Sequence, residues 1–336
     1  MGPLSLDIFA KKLVNAYHGS AACAQTAAVR WEEKPLDNHL QVEEPICIAA
    51  TGDVCGEGVL WERKTQSVYW TDINRFLLHR YSLQNGTLKT WFFSEPVTCV
   101  METSREDTLA LSLGSGIALW EPGSDAPHTP LFALPGWPFV RNDAAVDPGG
   151  ALWVGSMRNN VLENGAPSEV GGIDGVLYRI EGTGAATEFR RDLGCSNTLL
   201  WSPDKSRFYF GDSLKNCIWS YDYDLNSRSI RGEQPFFQGF ERGAPDGSAM
   251  DTEGYVWNCR YGGKCIVRVA PDGMIDRVIE MPVSRPTNCT FGGPRGNVLY
   301  ITSASPEPGH WERFGGGLFA METNVTGMDE NSFRLP

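Results

Sequence analysis

The chain has 336 residues, 41% of them apolar and 11% aromatic, enough to bury a sizeable core in one large or two medium domains. Its 41 acidic residues against 29 basic ones leave a formal charge of -12, which argues against nucleic acid or an anionic membrane surface as a partner and leaves cations and neutral polar ligands. No run approaches the ~18 apolar residues of a membrane helix, and Asp7, Lys11 and Lys12 stand where a signal peptide needs an apolar stretch.

Nine cysteines, odd in number and without a Cys-x-x-Cys pair, fit reduced core thiols better than a disulfide framework or a zinc site. A cytoplasmic protein, monomeric or a small homo-oligomer, is expected. Residues 1–42 read as an N-terminal extension, with one short amphipathic helix over Phe9 to Tyr17. Residues 43–336 read as β structure. Short runs rich in aromatic and branched residues recur around Trp70, Leu111, Trp153, Phe210, Trp257 and Tyr300, most of them preceded by a turn such as Asp147-Pro-Gly-Gly or Asp251-Thr-Glu-Gly. A second strand usually follows each run, for example Gly175-Val-Leu-Tyr-Arg-Ile. Six units over about 280 residues give a period of about 47, typical of a four-stranded propeller blade. The expected fold is all-β, a six-bladed β-propeller, with a strand near Ile46-Cys-Ile pairing with Gly317-Leu-Phe-Ala to remove the exposed edges.

A propeller brings equivalent positions of its blades around one axis, so polar residues at a shared phase matter. Glu57 lies thirteen residues before Trp70, Asn142 eleven before Trp153, Asn197 thirteen before Phe210, Asp246 eleven before Trp257 and Asn288 twelve before Tyr300. Only the second unit, with Val97, Thr98 and Cys99 there, lacks a strong ligand. Singly, Gly56-Glu-Gly, Arg141-Asn-Asp, Ser196-Asn-Thr and Pro245-Asp-Gly all look like turns. Together, Glu57, Asn142, Asn197 and Asp246 offer two carboxylates and two amide oxygens, a hard all-oxygen set for Ca²⁺, Mg²⁺ or Mn²⁺.

At these residues the chain resembles the SMP-30, gluconolactonase and luciferin-regenerating (regucalcin-like) family. The matching pieces run in order from about residue 50 to 320: Gly56-Glu57-Gly58 with Tyr69-Trp70-Thr-Asp72, Asn142-Asp143 through Asp147-Pro148 with Trp153 to Met157, Ser196-Asn197 with Tyr209 to Asp212-Ser213, Pro245-Asp246-Gly247 with Asp251-x-Glu-Gly254, and Pro286-Thr287 through Phe291-Gly-Gly293. The resemblance implies a six-bladed propeller with one divalent metal in its channel, held by Glu57, Asn197 and Asp246, with Asn142 near the metal or the substrate. Ca²⁺ is the expected ion, with Mg²⁺, Mn²⁺, Zn²⁺ or Fe²⁺ as alternatives. Three departures stand out: Val140 where animal gluconolactonases carry an Arg, Asn160 in place of a substrate-binding Glu, and Thr198 in place of a frequent Gly.

The chain has no Gly-x-Ser-x-Gly elbow, no His-Glu-x-x-His and no phosphate loop, and none of its five histidines shares the ligand phase. Metal-assisted attack by water is what remains, and the resemblance implies that it hydrolyses a sugar lactone to its aldonic acid, the cation polarising the ester carbonyl and Asp246 activating water, with Asp143 the alternative base. Asn142, Arg141, Asn160 and Asn288 are the candidate sugar-binding residues, Trp137 and Phe139 candidate stacking partners, and the loop between Arg158 and Asp174 a cover for the mouth. The rival functions are a related metal-dependent esterase or organophosphate hydrolase, and a calcium-binding propeller without activity.

Overall fold

The computed structural model describes residues 40–123, 128–133, 139–307 and 309–336, with the backbone alone for residues 139–141. The helix expected over Phe9 to Tyr17 lies outside them. Twenty-four strands form six four-stranded antiparallel sheets. In blades one to five the chain runs outward through four successive strands, from the inner strands Gly56–Glu62, Val97–Glu102, Phe139–Val146, Ser196–Trp201 and Ala244–Met250. The sixth blade, with inner strand Pro286–Gly292, takes its outermost strand from the other end of the chain: Ile46–Ala49 pairs with Leu318–Glu322, Cys47 opposite Phe319. The expected ring closure is what the protein uses, joining the two ends of the chain in one sheet.

Burial follows the position of a strand in its blade. Ser67–Asp72, second in blade one, is buried at all six residues because neighbouring blades cover both of its faces. The outermost strand of that blade, Thr87–Phe92, has no buried residue and reads accordingly Thr-Leu-Lys-Thr-Trp-Phe, a mix that only a solvent-facing edge tolerates. Between blades the packing is aromatic: Trp70, Trp153 and Trp257 are fully buried, and Trp61 and Trp201 nearly so.

A buried indole N–H needs an acceptor, and an aspartate provides it in three blades. Asp147 Oδ2 accepts from Trp153 Nε1 (2.9 Å) while its Oδ1 takes the turn amides of Gly149 (2.8 Å) and Ala151 (2.9 Å). Asp251 repeats the pattern on Trp257 Nε1 (3.0 Å) with Glu253 and Tyr255 amides, and Asp53 accepts from Trp70 Nε1 (2.8 Å). The aspartate thus locks the turn and the core tryptophan with one side chain.

Each of the six inner strands is broken by a shift in pairing register, at Glu57/Leu60, Val97/Cys99, Arg141/Ala144, Asn197/Leu199, Pro245/Ser248 and Pro286/Cys289. Taken singly, four of these places, those of Glu57, Asn142, Asn197 and Asp246, read as turns in the sequence. They are bulges, which insert an unpaired residue and re-aim its side chain without ending the strand. Gly58 shows why one of them needs glycine: its φ is +54° and a Cβ there would stand 2.5 Å from Thr98 O.

At the opposite end of the ring the C-terminal residues cross several blades. Met328 N donates to Met250 O, Asn331 Nδ2 to Val146 O (2.9 Å) and Phe333 N to Glu102 O (2.8 Å), with Phe333 fully buried. Among the described residues no helix is long and apolar enough to cross a membrane.

Replacing Asp147 by Ala leaves a buried indole donor and two turn amides without acceptors, and is expected to destabilise the protein by about 2–4 kcal/mol. Urea denaturation of wild type and variant measures it; a change within about 0.5 kcal/mol would place the stabilisation elsewhere.

Candidate metal and active site

Two of the bulged strands are held at their entry by an aspartate. Asp72, at the end of the second strand of blade one, accepts from the backbone of Val54 (3.0 Å) and Cys55 (3.3 Å), just before Glu57. Asp212 does the same in blade four for Gly194 (2.8 Å) and Cys195 (3.1 Å), just before Asn197. Both carboxylates are fully buried. Each lies two residues past its blade's aromatic centre, a shared phase that sequence comparison between the units would have revealed.

The bulges bring side chains from several blades together. Glu57 Oε2 accepts from Gly58 N (3.0 Å) and from Asn288 Nδ2 across the blade junction (3.0 Å). Asp246 Oδ1 accepts from Gly247 N (3.1 Å), and its carboxyl lies close enough to that of Glu57 for each to act on the other's protonation. Gly247 is required here, since a Cβ would stand 2.1 Å from Asn288 Cγ. Beside this pair, Asn142 Nδ2 donates to Ser196 O (2.7 Å) and to Asn197 Oδ1 (3.2 Å). Asn197 Nδ2 donates to Ser213 Oγ (2.8 Å), which passes its only proton to Pro245 O (2.6 Å), the residue before Asp246. Since Ser213 can then only accept, the Asn197 amide is fixed with its oxygen on the Asn142 side.

Glu57 and Asp246 are each 7% exposed, yet neither forms an ion pair with Lys, Arg or His among the described residues. Burial is the leading cause that raises both carboxyls, followed for Asp246 by the charge of Glu57, and Asp246 rises well above the carboxylate range. Asp143 is pushed up to about 7, first by burial and then by Glu57. Its Oδ1 accepts from Ala144 N (3.0 Å), and it lines a cavity beneath the pair together with Cys99, Ser248, Asn288, Glu102 and Glu330. Burial also pushes Glu102 to about 7. The thiols of Cys55, Cys99 and Cys195, which flank the site, are raised by burial and held protonated, so none is a poised nucleophile.

Buried carboxyls without a cationic side chain fit a bound cation. No three of His, Cys, Asp and Glu cluster as a metal site among the described residues, so any such ion would draw on amide oxygens as well as the two carboxylates. That set suits a hard ion over a thiolate- or imidazole-seeking one.

Other expected positions fare differently. Asn288 Oδ1 accepts from Cys289 N (2.8 Å) and its Nδ2 donates to Glu57, which leaves one N–H and one lone pair of its amide for a ligand. Asn160 sits half-buried at the foot of the loop 159–174; its carbonyl accepts from Ser168 N (2.8 Å), and no hydrogen bond joins its side chain to the ring among the described residues. The loop does cross to another blade, where Asn74 Nδ2 donates to Gly165 O (2.8 Å). Trp137 and the side chains of Phe139 and Arg141 lie outside the described residues. The bonding roles of Ser213, Thr198 and Asn258 escaped the sequence reading because they lie in contacts between blades.

The family model described as SMP-30/gluconolactonase/LRE-like region matches residues 55–305. The chain belongs to this family. Among SMP-30/gluconolactonase relatives, the 6-deoxy-6-sulfogluconolactonase of Pseudomonas putida is 29% identical, covering 85% of this chain and 97% of its own, and the L-arabinolactonase of Azospirillum brasilense is 32% identical, covering 84% and 92%. The crystal structure of the calcium-binding regucalcin from Agrobacterium tumefaciens superposes with a TM-score of 0.78 at 25% identity, over 86% of this chain and 97% of that one.

Raised folded-state values for Asp143 and Glu102 mean that the fold favours their neutral forms. Their contribution is complete below the ordinary carboxylate range and is lost as pH rises through about 7. In chelator-treated protein the melting temperature is expected to fall between about pH 5 and 8. Scanning calorimetry across that interval tests it, and a melting temperature that climbs throughout would contradict it.

Proposed function

We propose that the protein hydrolyses a sugar lactone to the corresponding aldonic acid, using one divalent cation held by Glu57, Asn197 and Asp246, with Asn142 beside it. The observation that carries this reading is the buried, adjacent Glu57 and Asp246, neither ion-paired with a cationic side chain among the described residues, in a chain whose relatives are named as lactonases. When bound, the ion supplies Lewis-acid polarisation of the lactone carbonyl and stabilises charge developing on its oxygen.

The protein's own groups do the rest. Asn288 and the Gly58 amide hold Glu57 in place, and Ser213 holds the Asn197 amide with its oxygen available. Asp246, at the edge of the pair, orients the attacking water and takes its proton; Asp143, one residue past Asn142 and titrating near neutrality, is the alternative acceptor. The Asn142 amide nitrogen is spent on Ser196 and Asn197, which leaves its oxygen for a hydroxyl of the sugar or for the cation. The loop 159–174, bonded to Asn74, covers part of the approach. Val140 and Asn160 stand where animal gluconolactonases carry an Arg and a Glu, so the sugar is expected to differ from theirs.

A pH-indicator assay of metal-stripped protein against a panel of pentono- and hexonolactones, restoring Ca²⁺, Mg²⁺, Mn²⁺ or Zn²⁺ singly, tests the proposal. Turnover should return with a divalent ion, and Asp246→Ala should lower kcat by a hundredfold or more, as loss of an electrostatic stabiliser worth ~3–4 kcal/mol does. Near-wild-type turnover in that variant removes the mechanism. Cation binding without turnover of any lactone, aryl ester or phosphotriester would make the protein a binding propeller.

A further inference from the structure

Nine non-glycine residues among those described have a positive φ, and Thr198, at +52°, is the one with a β-branched side chain. That backbone region is strained for such a residue, and strain persists only where the surroundings hold it. Gly58 has nearly the same conformation directly after Glu57, at φ +54°, and shows the solution that glycine makes easy. Thr198 follows Asn197 in the same way but carries a hydroxyl.

That hydroxyl reaches the next blade. Thr198 Oγ1 donates to Asp246 O at 2.7 Å and lies 2.8 Å from Ser248 Oγ. Asn258 Nδ2 donates to the same Asp246 carbonyl (3.1 Å) and to Ser248 Oγ (2.9 Å). One set of donations satisfies these contacts: Asn258 Nδ2 serves Asp246 O and Ser248, Ser248 donates to Thr198, and Thr198 donates to Asp246 O, while Asn258 Nδ2 also lies 3.4 Å from Thr198 Oγ1. Asn258 is itself oriented by the fully buried Arg260, whose Nη1 donates to Asn258 Oδ1 (3.3 Å). Across the ring, Thr287 Oγ1 donates to Gly56 O (2.5 Å), the residue before Glu57. Each buried carboxylate therefore has its main chain held by a threonine from an adjacent blade, but only Thr198 adopts a strained backbone to do so.

We propose that Thr198 is a positioning residue for the cation site, its hydroxyl fixing the Asp246 main chain so that the Asp246 carboxylate meets Glu57. This rests on the reading of that pair as cation ligands. The bulge between Asn197 and Leu199 sets this backbone shape, and the hydroxyl bond to Asp246 O is what threonine adds to it. Glycine at this position would relieve the strain and lose the bond, two effects of opposite sign on stability, while Asp246 O keeps Asn258 as a donor.

The test is titration calorimetry of Ca²⁺ and Mn²⁺ into metal-stripped wild type, Thr198→Gly and Thr198→Ser, with the melting temperature of each metal-free protein and its kcat and KM on the best lactone. Thr198→Gly should melt close to wild type yet bind the ion about tenfold or more weakly, as loss of an outer partner of a ligand does, with kcat falling more than KM changes. Thr198→Ser should restore both affinity and kcat. Wild-type affinity in Thr198→Gly, or a lower melting temperature with unchanged affinity, overturns the proposal and leaves the lactonase reading intact. Thr198-dependent cation binding without lactone turnover sinks the lactonase reading alone, and a wild type that binds neither ion overturns both.

Discussion

Two carboxylates out of water, close together and, among the described residues, without an ion-paired cationic side chain, are the constraint from which the arrangement of this site follows. Glu57 and Asp246 resist ionising together where they stand, because burial and mutual repulsion act in the same direction. Such a pair persists only if rigid elements hold it. Here the elements are inner strands of separate blades, in a ring closed by the pairing of Ile46–Ala49 with Leu318–Glu322.

The supporting framework works at two depths. Aspartates lock tryptophans and turns within blades, as Asp147 and Asp251 do, and Asp72 and Asp212 hold the chain just ahead of Glu57 and Asn197. Hydroxyls then join blades: Thr198 to Asp246, Ser213 to Pro245, Thr287 to Gly56. The bulges make this possible, since a regular strand would turn alternate side chains away from the axis, whereas a bulge lets Glu57 or Asp246 leave that alternation. The same bulges leave amides free to bond the carboxylates beside them, which is why Gly58 N and Gly247 N are found there.

Much of this was legible before any coordinates. Periodic aromatic runs fixed the number of blades, and the apolar ends Ile46-Cys-Ile and Leu318-Phe-Ala signalled closure, because local pattern and ring geometry demand the same thing. Counting back from Trp70 and Trp257 found Glu57 and Asp246, since equivalent positions of a propeller must converge. The bulges were misread as turns because Gly, Asn and Asp serve both. Asn288 was read as a sugar-binding residue; its bond to Glu57, between residues 231 apart, is one that no local pattern encodes. Thr198 appeared only as a departure from a common glycine; its bond to Asp246 O depends on the juxtaposition of two blades.

Anomalous diffraction from a crystal soaked in Mn²⁺ tests the central claim most directly. The account predicts one strong peak within coordination distance of the side-chain oxygens of Glu57, Asn197 and Asp246. A map without density there, with the two carboxyls still close together at the soaking pH, would contradict it.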